Sequence, residues 1–458
     1  MPVHGSTTAS GLQPGEGAVL RERLTRLLGP EAVLGDERVT AYRLAGRVPA
    51  LAVRPPVPEA VAAVLAIADE LRAAVVPWGG GTAQAIGYPP RAFDLALDVR
   101  ALAHVLHYEP ADLTLSVQAG ITLAAIDRLL GEHGQRLSLD GARPEHATLG
   151  GIVAANLAGP RRLRYGTARD ALIGVCAALT DGTLAHGGGR VVKNVSGYDM
   201  MKLFLGSLGT LGVLVELNFK VLPRPAREVA LALGFETAGA ALDAVAALLD
   251  SVLQPVAAIV LDPALAPCLV AGARGWTLVV GFEGAPATTA RQVREVRERA
   301  AGWCGAVVCE LEGAAAGVLW RQLAEYQQPD VEPVDRALVK VVVSPSEVGA
   351  VLDATTELAA AAGIALDQAA DAAVGLVYCR LKRPEGLAPE AFGQALATVQ
   401  QGLVQRFEQS VVLSCPAGVK PHLPLWGREP SGIAVMRAIK QQFDPHGILN
   451  PGRFVGGI

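Results

Sequence analysis

The sequence predicts an α+β protein of two or three domains. Its 458 residues exceed what a single hydrophobic core usually organises. As far as Pro223-Arg224-Pro225, short apolar strands alternate with amphipathic helices, the pattern of a mixed α/β domain. Beyond that proline punctuation the order strand, helix, strand recurs twice, which suggests a ferredoxin-like α+β cap.

The elements follow from this frame. Residues 1–17 are polar and rich in Gly, Ser and Thr, and read as a disordered tail rather than a signal peptide. Residues 18–225 form the first domain. Ala18–Leu28 has helical periodicity, and Glu59–Arg72 is an amphipathic helix with Val61, Val64, Leu65 and Ala68 on one face. Strands are expected at Ala74–Pro77, Leu95–Val99 and Leu113–Gln118, and a helix at Thr122–His133. The cap occupies 226–430, with strands at Glu228–Phe235, Val256–Leu261, Trp276–Phe282, Ala306–Leu311, Leu338–Val343 and Ala373–Leu381. Helices are expected at Ala240–Leu253, Thr289–Gly302, Ser346–Ala362 and Pro389–Phe407. A closing segment, 431–458, opens with a helix at Gly432–Phe443.

Composition excludes several classes. A net charge of −4 and a pI near 6.1 give no general attraction to nucleic acid. The longest apolar region, Ala240–Ala266, is broken by Asp243, Asp250, Pro255 and Asp262, so no membrane span is expected. Six cysteines without CxxC spacing fit reduced thiols in a cytoplasmic protein and offer no iron–sulfur or zinc site.

The sharpest local feature is the segment Val75–Gly87, where a buried strand delivers Gly79, Gly80 and Gly81, then Thr82. Glycine lets the backbone approach a ligand closely and present N–H groups to an anion such as a diphosphate; a plain tight turn is the competing reading. A Rossmann fingerprint does not fit, because Gln84 stands where its last glycine belongs, although Asp98 lies at a suitable strand end. Further glycine-rich runs follow at Ala147–Asn156, Gly159–Asp170 and Gly188–Leu214. Several separate loops imply a long cofactor, touched along its length.

These residues resemble the FAD-binding domain of the PCMH type, the fold of the vanillyl-alcohol-oxidase flavoenzymes, over about Val53–Pro225. The resemblance implies two α/β subdomains and non-covalent FAD, since Trp78–Gly87 lacks the histidine that covalently flavinylated relatives often carry. It implies flavin contacts from Pro77, Gly79, Gly80, Gly81, Thr82, Thr148, Gly150, Gly151, Asn156, Tyr165 and Gly166. It extends them to Lys193, Asn194 and Gly197, and to Gly206, Gly209, Thr210, Leu211 and Gly212. The tail FDPHGILNPGRF resembles that of the 2-hydroxy-acid branch, whose NPG turn returns to the flavin, so Asn450 joins the set. Within the family the wording resembles the FAD-binding subunits of glycolate-oxidising complexes; Leu208 stands where catalytic paralogues usually carry glutamate. That likeness implies a catalytic 2-hydroxy-acid flavoprotein and an iron–sulfur subunit as partners, with any membrane association peripheral and through them. A self-sufficient oxidase or dehydrogenase of another hydroxyl substrate, and a structural flavin subunit, stay open.

Oxidising an α-hydroxy acid needs a base for the hydroxyl proton and a cation for the carboxylate. Catalytic paralogues supply cap histidines, often with a metal. Of the eight histidines here none lies between His186 and His422, so no histidine-held metal is expected in the cap. Without that base, the flavin of the lone chain is expected to be reduced only slowly by glycolate or lactate. The remaining catalytic candidates are Arg321, Lys340 and His422. For each, an ordinary surface or packing role competes: Arg321 as a helix-surface charge, Lys340 as a strand lysine that escapes or pairs, His422 as a loop residue.

Overall fold

The computed structural model describes residues 11–13, 15–190 and 199–458. Two sheets organise the N-terminal region. β1 (Leu51–Val53), β2 (Val75–Trp78) and β3 (Leu95–Asp98) pair in parallel in the order β1-β3-β2. Parallel neighbours need a crossover, and the helix Pro58–Glu70 supplies one, burying Val61, Val64, Leu65 and Ala68. The second sheet is antiparallel. It takes β4 (Val105–Glu109), β5 (Thr114–Gln118), β7 (Leu172–Ala178), β8 (Leu184–Gly188) and β9 (Val213–Lys220) in the order β4-β5-β9-β7-β8. Between these, β6 (Gln135–Arg136) pairs with β10 (Leu222–Pro223).

The cap is one eight-stranded antiparallel sheet. Its strands are β11 (Arg227–Phe235), β12 (Ala257–Leu261), β13 (Trp276–Gly284), β14 (Ala306–Glu312), β15 (Arg336–Val342), β16 (Ala365–Asp371), β17 (Leu376–Lys382) and β18 (Gln409–Ser414). The order β14-β11-β13-β12-β16-β17-β15-β18 resolves into two β-α-β-β-α-β units, each with the ferredoxin-like order 4-1-3-2. They join edge to edge where Ile259 faces Asp371. One sheet face packs apolar side chains such as Leu231, Val341 and Val377 against the cap helices, including Phe392.

The expected cap strand Ala373–Leu381 differs from what forms. A short helical turn, Ala372–Val374, separates β16 from β17, and β16 itself, together with β18, escapes the sequence pattern. The β16 sequence ALDQAAD has no β-branched or aromatic residue, so its strand state comes from its two neighbours rather than from propensity.

The chain's end returns to the beginning. Val75 N–H donates to the Ile448 carbonyl at 2.8 Å and Asn450 N–H to the Val75 carbonyl at 2.9 Å, so the tail extends the edge of the three-stranded sheet. A buried ionic clamp ties the two regions together. Glu283 of β13, 1% exposed at its side chain, accepts from Arg136 at 2.5 Å, Arg161 at 2.9 Å and the Tyr165 hydroxyl at 2.5 Å. Burial opposes the charge on Glu283, but Arg136 and Arg161 outweigh it and hold the carboxyl below its usual range. Among the described residues no helix is long and apolar enough to cross a membrane.

Candidate active site

β2 runs straight into an open cleft of about 710 Å³. Of the expected contact residues, Pro77, Gly79, Gly80, Gly81 and Thr82 line it from the β2 side. Thr148, Gly150 and Gly151 line it from the helix Leu149–Ala155 and its cap, and Gly209, Gly212 and Asn450 close it opposite. The glycines are required by space. A Cβ on Gly80 would sit within the His146 carbonyl, and one on Gly79 would press into the Thr148 hydroxyl. Gly81 adopts φ +75°, which side chains with a Cβ rarely take. Among the described residues, no N–H of Gly79, Gly80, Gly81 or Thr82 donates a backbone hydrogen bond. The four residues that line this side of the cleft therefore carry N–H groups free of backbone partners.

Arg453 was not singled out from the sequence, yet it governs this loop. It is 3% exposed, lines the cleft and has no acidic partner among the described residues. Its guanidinium donates to the Gln84 side chain and carbonyl (both 2.7 Å), the Ile86 carbonyl (3.0 Å) and Asn450 Oδ1 (3.0 Å). Burial pulls its pKa down to about 10, so it stays charged at neutral pH. An unpaired buried cation is costly unless an anion joins it. The only sequence signal was its place in the NPGR turn. Asp98, by contrast, is committed elsewhere: it binds the Tyr42 hydroxyl (2.6 Å), Arg54 (2.8 Å) and Arg100 (2.8 Å).

Other expected residues lie outside the cleft lining. Asn156 is exposed and ends the helix at φ 48°; Gly206 N–H bonds the Val153 carbonyl, and the Thr210 hydroxyl bonds the Ser207 carbonyl. Leu211 is in the core behind the cleft. Tyr165 belongs to the Glu283 clamp, with Arg136 stacked 4.6 Å from its ring centroid, and Gly166 (φ +72°) packs against Asp170. Lys193, Asn194 and Gly197 lie outside the described residues.

The catalytic candidates separate. His422 is exposed and does not line the cleft. Arg321 is exposed and lines a different, polar hollow near Asp127 and Arg224. Lys340 sits on the cap face opposite the one packed by most of the cap helices. It pairs directly with Tyr378, which faces Ala369, and Asp371 follows two residues on, so all three share that face. Asp371 is fully buried, and neither carboxylate oxygen has a hydrogen-bond partner among the described residues. Arg162, from the N-terminal region, acts electrostatically on all three groups. Burial, helped by Arg162, lowers Lys340 to about 8; burial, opposed by Arg162, raises Asp371 to about 7. No group of three or more His, Cys, Asp or Glu suited to a metal occurs among the described residues.

Two family descriptions match the chain. "FAD binding domain" covers residues 49–188, and "FAD linked oxidases, C-terminal domain" covers 224–381 and 425–454, so together they account for both regions and the returning tail. The chain belongs to the FAD-linked oxidases. Its cofactor is FAD and it is an FAD-dependent oxidoreductase. This family member is 26% identical to "Glycolate oxidase subunit GlcD" of Bacillus subtilis (strain 168), over 95% of this chain and 96% of that one. It is 34% identical to "Glycolate oxidase subunit GlcE" of Escherichia coli (strain K12), over 51% of this chain and 59% of that one. Among solved structures, p-cresol methylhydroxylase with substrate bound shares the fold at a TM-score of 0.76, with 16% identity over 97% of each chain. In this FAD-linked oxidase the cradle fits the cofactor: bare glycines, free N–H donors and the unpaired Arg453 cation are what a dinucleotide's diphosphate requires.

Proposed function

We propose that this chain is the FAD-binding redox subunit of a complex that oxidises glycolate or a related 2-hydroxy acid at its CH–OH carbon. An iron–sulfur subunit would take the electrons onward, and a second, catalytic flavoprotein would complete the assembly. The carrying observation is the Gly79–Thr82 cradle closed by Arg453 and Asn450, in a chain similar to two glycolate oxidase subunits. The diphosphate would rest on Gly79–Thr82, with Arg453 offsetting its charge, and the rest of FAD would follow the helix Leu149–Ala155 towards the cap. Bound FAD would supply the hydride acceptor for the oxidation.

The attachment is non-covalent in this reading. Trp78–Gly87 holds no histidine, and the Cys176 thiol, buried in β7, is pushed up to about 12 by burial and by Glu216 and Glu59. Buried free thiols such as Cys379 and Cys415 suit a reducing cytoplasm.

The test is co-purification and transfer. The FAD-loaded chain, mixed anaerobically with excess glycolate or D-lactate, should bleach its flavin only slowly; adding the catalytic flavoprotein should speed the bleaching, and added iron–sulfur partner should then recover the colour. A flavin reduced by neither acid, alone or with partner subunits, would remove glycolate and its relatives from consideration.

A further inference from the structure

Lys440, Arg453 and Lys420 are largely buried cations that donate to backbone carbonyls around the cofactor cleft, and they differ in how their charge is met. Lys440 donates to the Thr210 and Leu449 carbonyls and pairs with Asp444, so its charge is neutralised on the spot. Arg453 has no such partner. Neither has Lys420, which opens the helical turn Lys420–His422 at the end of the cap and is 5% exposed. Among the described residues the charges acting on it are Cys415 and Arg453, and no carboxylate is among them. Its ammonium donates to the Ala85 carbonyl and, at 2.9 Å, to the Gly87 carbonyl.

Arg453 takes the carbonyls of Gln84 and Ile86, so the successive carbonyls from Gln84 to Gly87 alternate between the two unpaired cations. This segment follows directly on Gly79–Thr82, and Gln84 still lines the cleft. Around it the end of the cap, the loop and the tail interlock. The Tyr88 hydroxyl donates to the Leu423 carbonyl (3.1 Å) and accepts from the Leu425 N–H (3.3 Å), and Trp426 Nε1 donates to the Arg453 carbonyl (3.2 Å). Lys420 itself does not line the cleft, and it falls in the stretch 382–424 that neither family description matches. A buried lysine without a counter-charge is costly to keep. Cys415 does not supply one, since burial pushes its thiol up to about 11. Two such cations on one loop are matched by a dianion, and the diphosphate of FAD is one.

We propose that Lys420 is a positioning residue for the cofactor: through the Ala85 and Gly87 carbonyls it sets the diphosphate loop from the cap side, and its charge joins that of Arg453 in balancing the diphosphate. The end of the cap is thereby part of the cofactor site, acting through the loop and not by contact. This goes beyond the functional reading above and rests only on FAD as the cofactor, so its failure would leave the choice of substrate and partners untouched.

Burial lowers Lys420 to about 8, with Cys415 opposing and Arg453 adding to the effect. Both neighbours keep their charge state through that pH, Cys415 at about 11 and Arg453 at about 10. Binding an anion favours the protonated lysine, so FAD affinity is full below about 8 and falls as Lys420 gives up its proton. The measurement is the dissociation constant of FAD, read from the fluorescence of flavin released on serial dilution of the loaded full-length chain. In wild type it should rise as the pH passes about 8. Lys420→Met should weaken binding about tenfold or more below that pH and lose the pH dependence. Lys420→Arg, which stays charged throughout, should bind more tightly than Lys420→Met and stay flat over the same range. A lysine that only fastens the cap would lower the chemical-denaturation midpoint when changed to Met but leave the FAD constant and its pH profile as in wild type. That result would overturn the proposal. So would a wild-type constant that is flat through about 8, which needs no variant to fold, or a Lys420→Arg profile that still falls there.

Discussion

The cofactor cleft and the cap face that carries Lys340 are made of different material. The cleft is backbone: bare glycines, free N–H groups and a single buried guanidinium. The cap face is side chain: Lys340, Asp371 and Tyr378, aligned only because β15, β16 and β17 pair in a particular register. A backbone cradle has to be contiguous, because neighbouring N–H groups must converge on one anion. A side-chain site is gathered from distant positions, and a one-residue slip of β16 would turn Asp371 to the opposite face.

The largest expected effect breaks the cleft alone. Gly80→Val drives a side chain into the His146 carbonyl, and Gly81→Val adds strain of about 1–3 kcal/mol at positive φ. Either variant should purify without flavin while the cap keeps its far-ultraviolet circular dichroism. Stoichiometric FAD in both would reduce the loop to a simple turn.

Next comes the clamp that holds the two regions in register. Glu283→Ala leaves Arg136 and Arg161 without their shared carboxylate, and should cost about 3–5 kcal/mol, read as a lowered chemical-denaturation midpoint. The folded Glu283 titrates below its ordinary value. Its contribution is therefore complete above the ordinary carboxylate range and is lost as the pH falls through the lowered value. Wild-type protein should lose this stabilisation on acidification; the Ala variant has none to lose over the same range.

A smaller effect sharpens the contrast from within the cleft. Arg453→Met keeps the side-chain bulk but removes the charge-assisted hydrogen bonds to Gln84, Ile86 and Asn450. Bonds to charged groups are worth about 1.5–3 kcal/mol, so FAD affinity should drop roughly 10- to 100-fold in a fluorescence titration of apoprotein. The smallest effect belongs to Arg321→Ala. Exposed and away from the cleft, Arg321 should change stability by less than about 0.5 kcal/mol and leave flavin bleaching untouched.

This division also explains what the sequence could disclose. The glycine runs announce the cleft because each loop is a continuous string with glycine where nothing else fits, as at Gly79–Gly81. The two-fold recurrence of strand and helix announces the cap, although its alanine-rich β16 stays hidden. Asp371 and Tyr378 escaped notice because no spacing links them; only the pairing of Ala369 with Tyr378 puts them on one face. Lys340 drew attention as a charge in an apolar strand, but its companions could not be named. Arg321 and His422 drew attention for their residue type, and the fold places both at the exposed surface away from the cleft.

The central claim is that Gly79–Thr82 and Arg453 hold one dissociable FAD per chain. The most direct measurement is the flavin-to-protein ratio of purified protein, followed by acid precipitation. A ratio near one with the yellow colour released to the supernatant is expected. Colour retained in the pellet would contradict non-covalent binding, and a colourless protein that cannot be reconstituted with FAD would contradict the account as a whole.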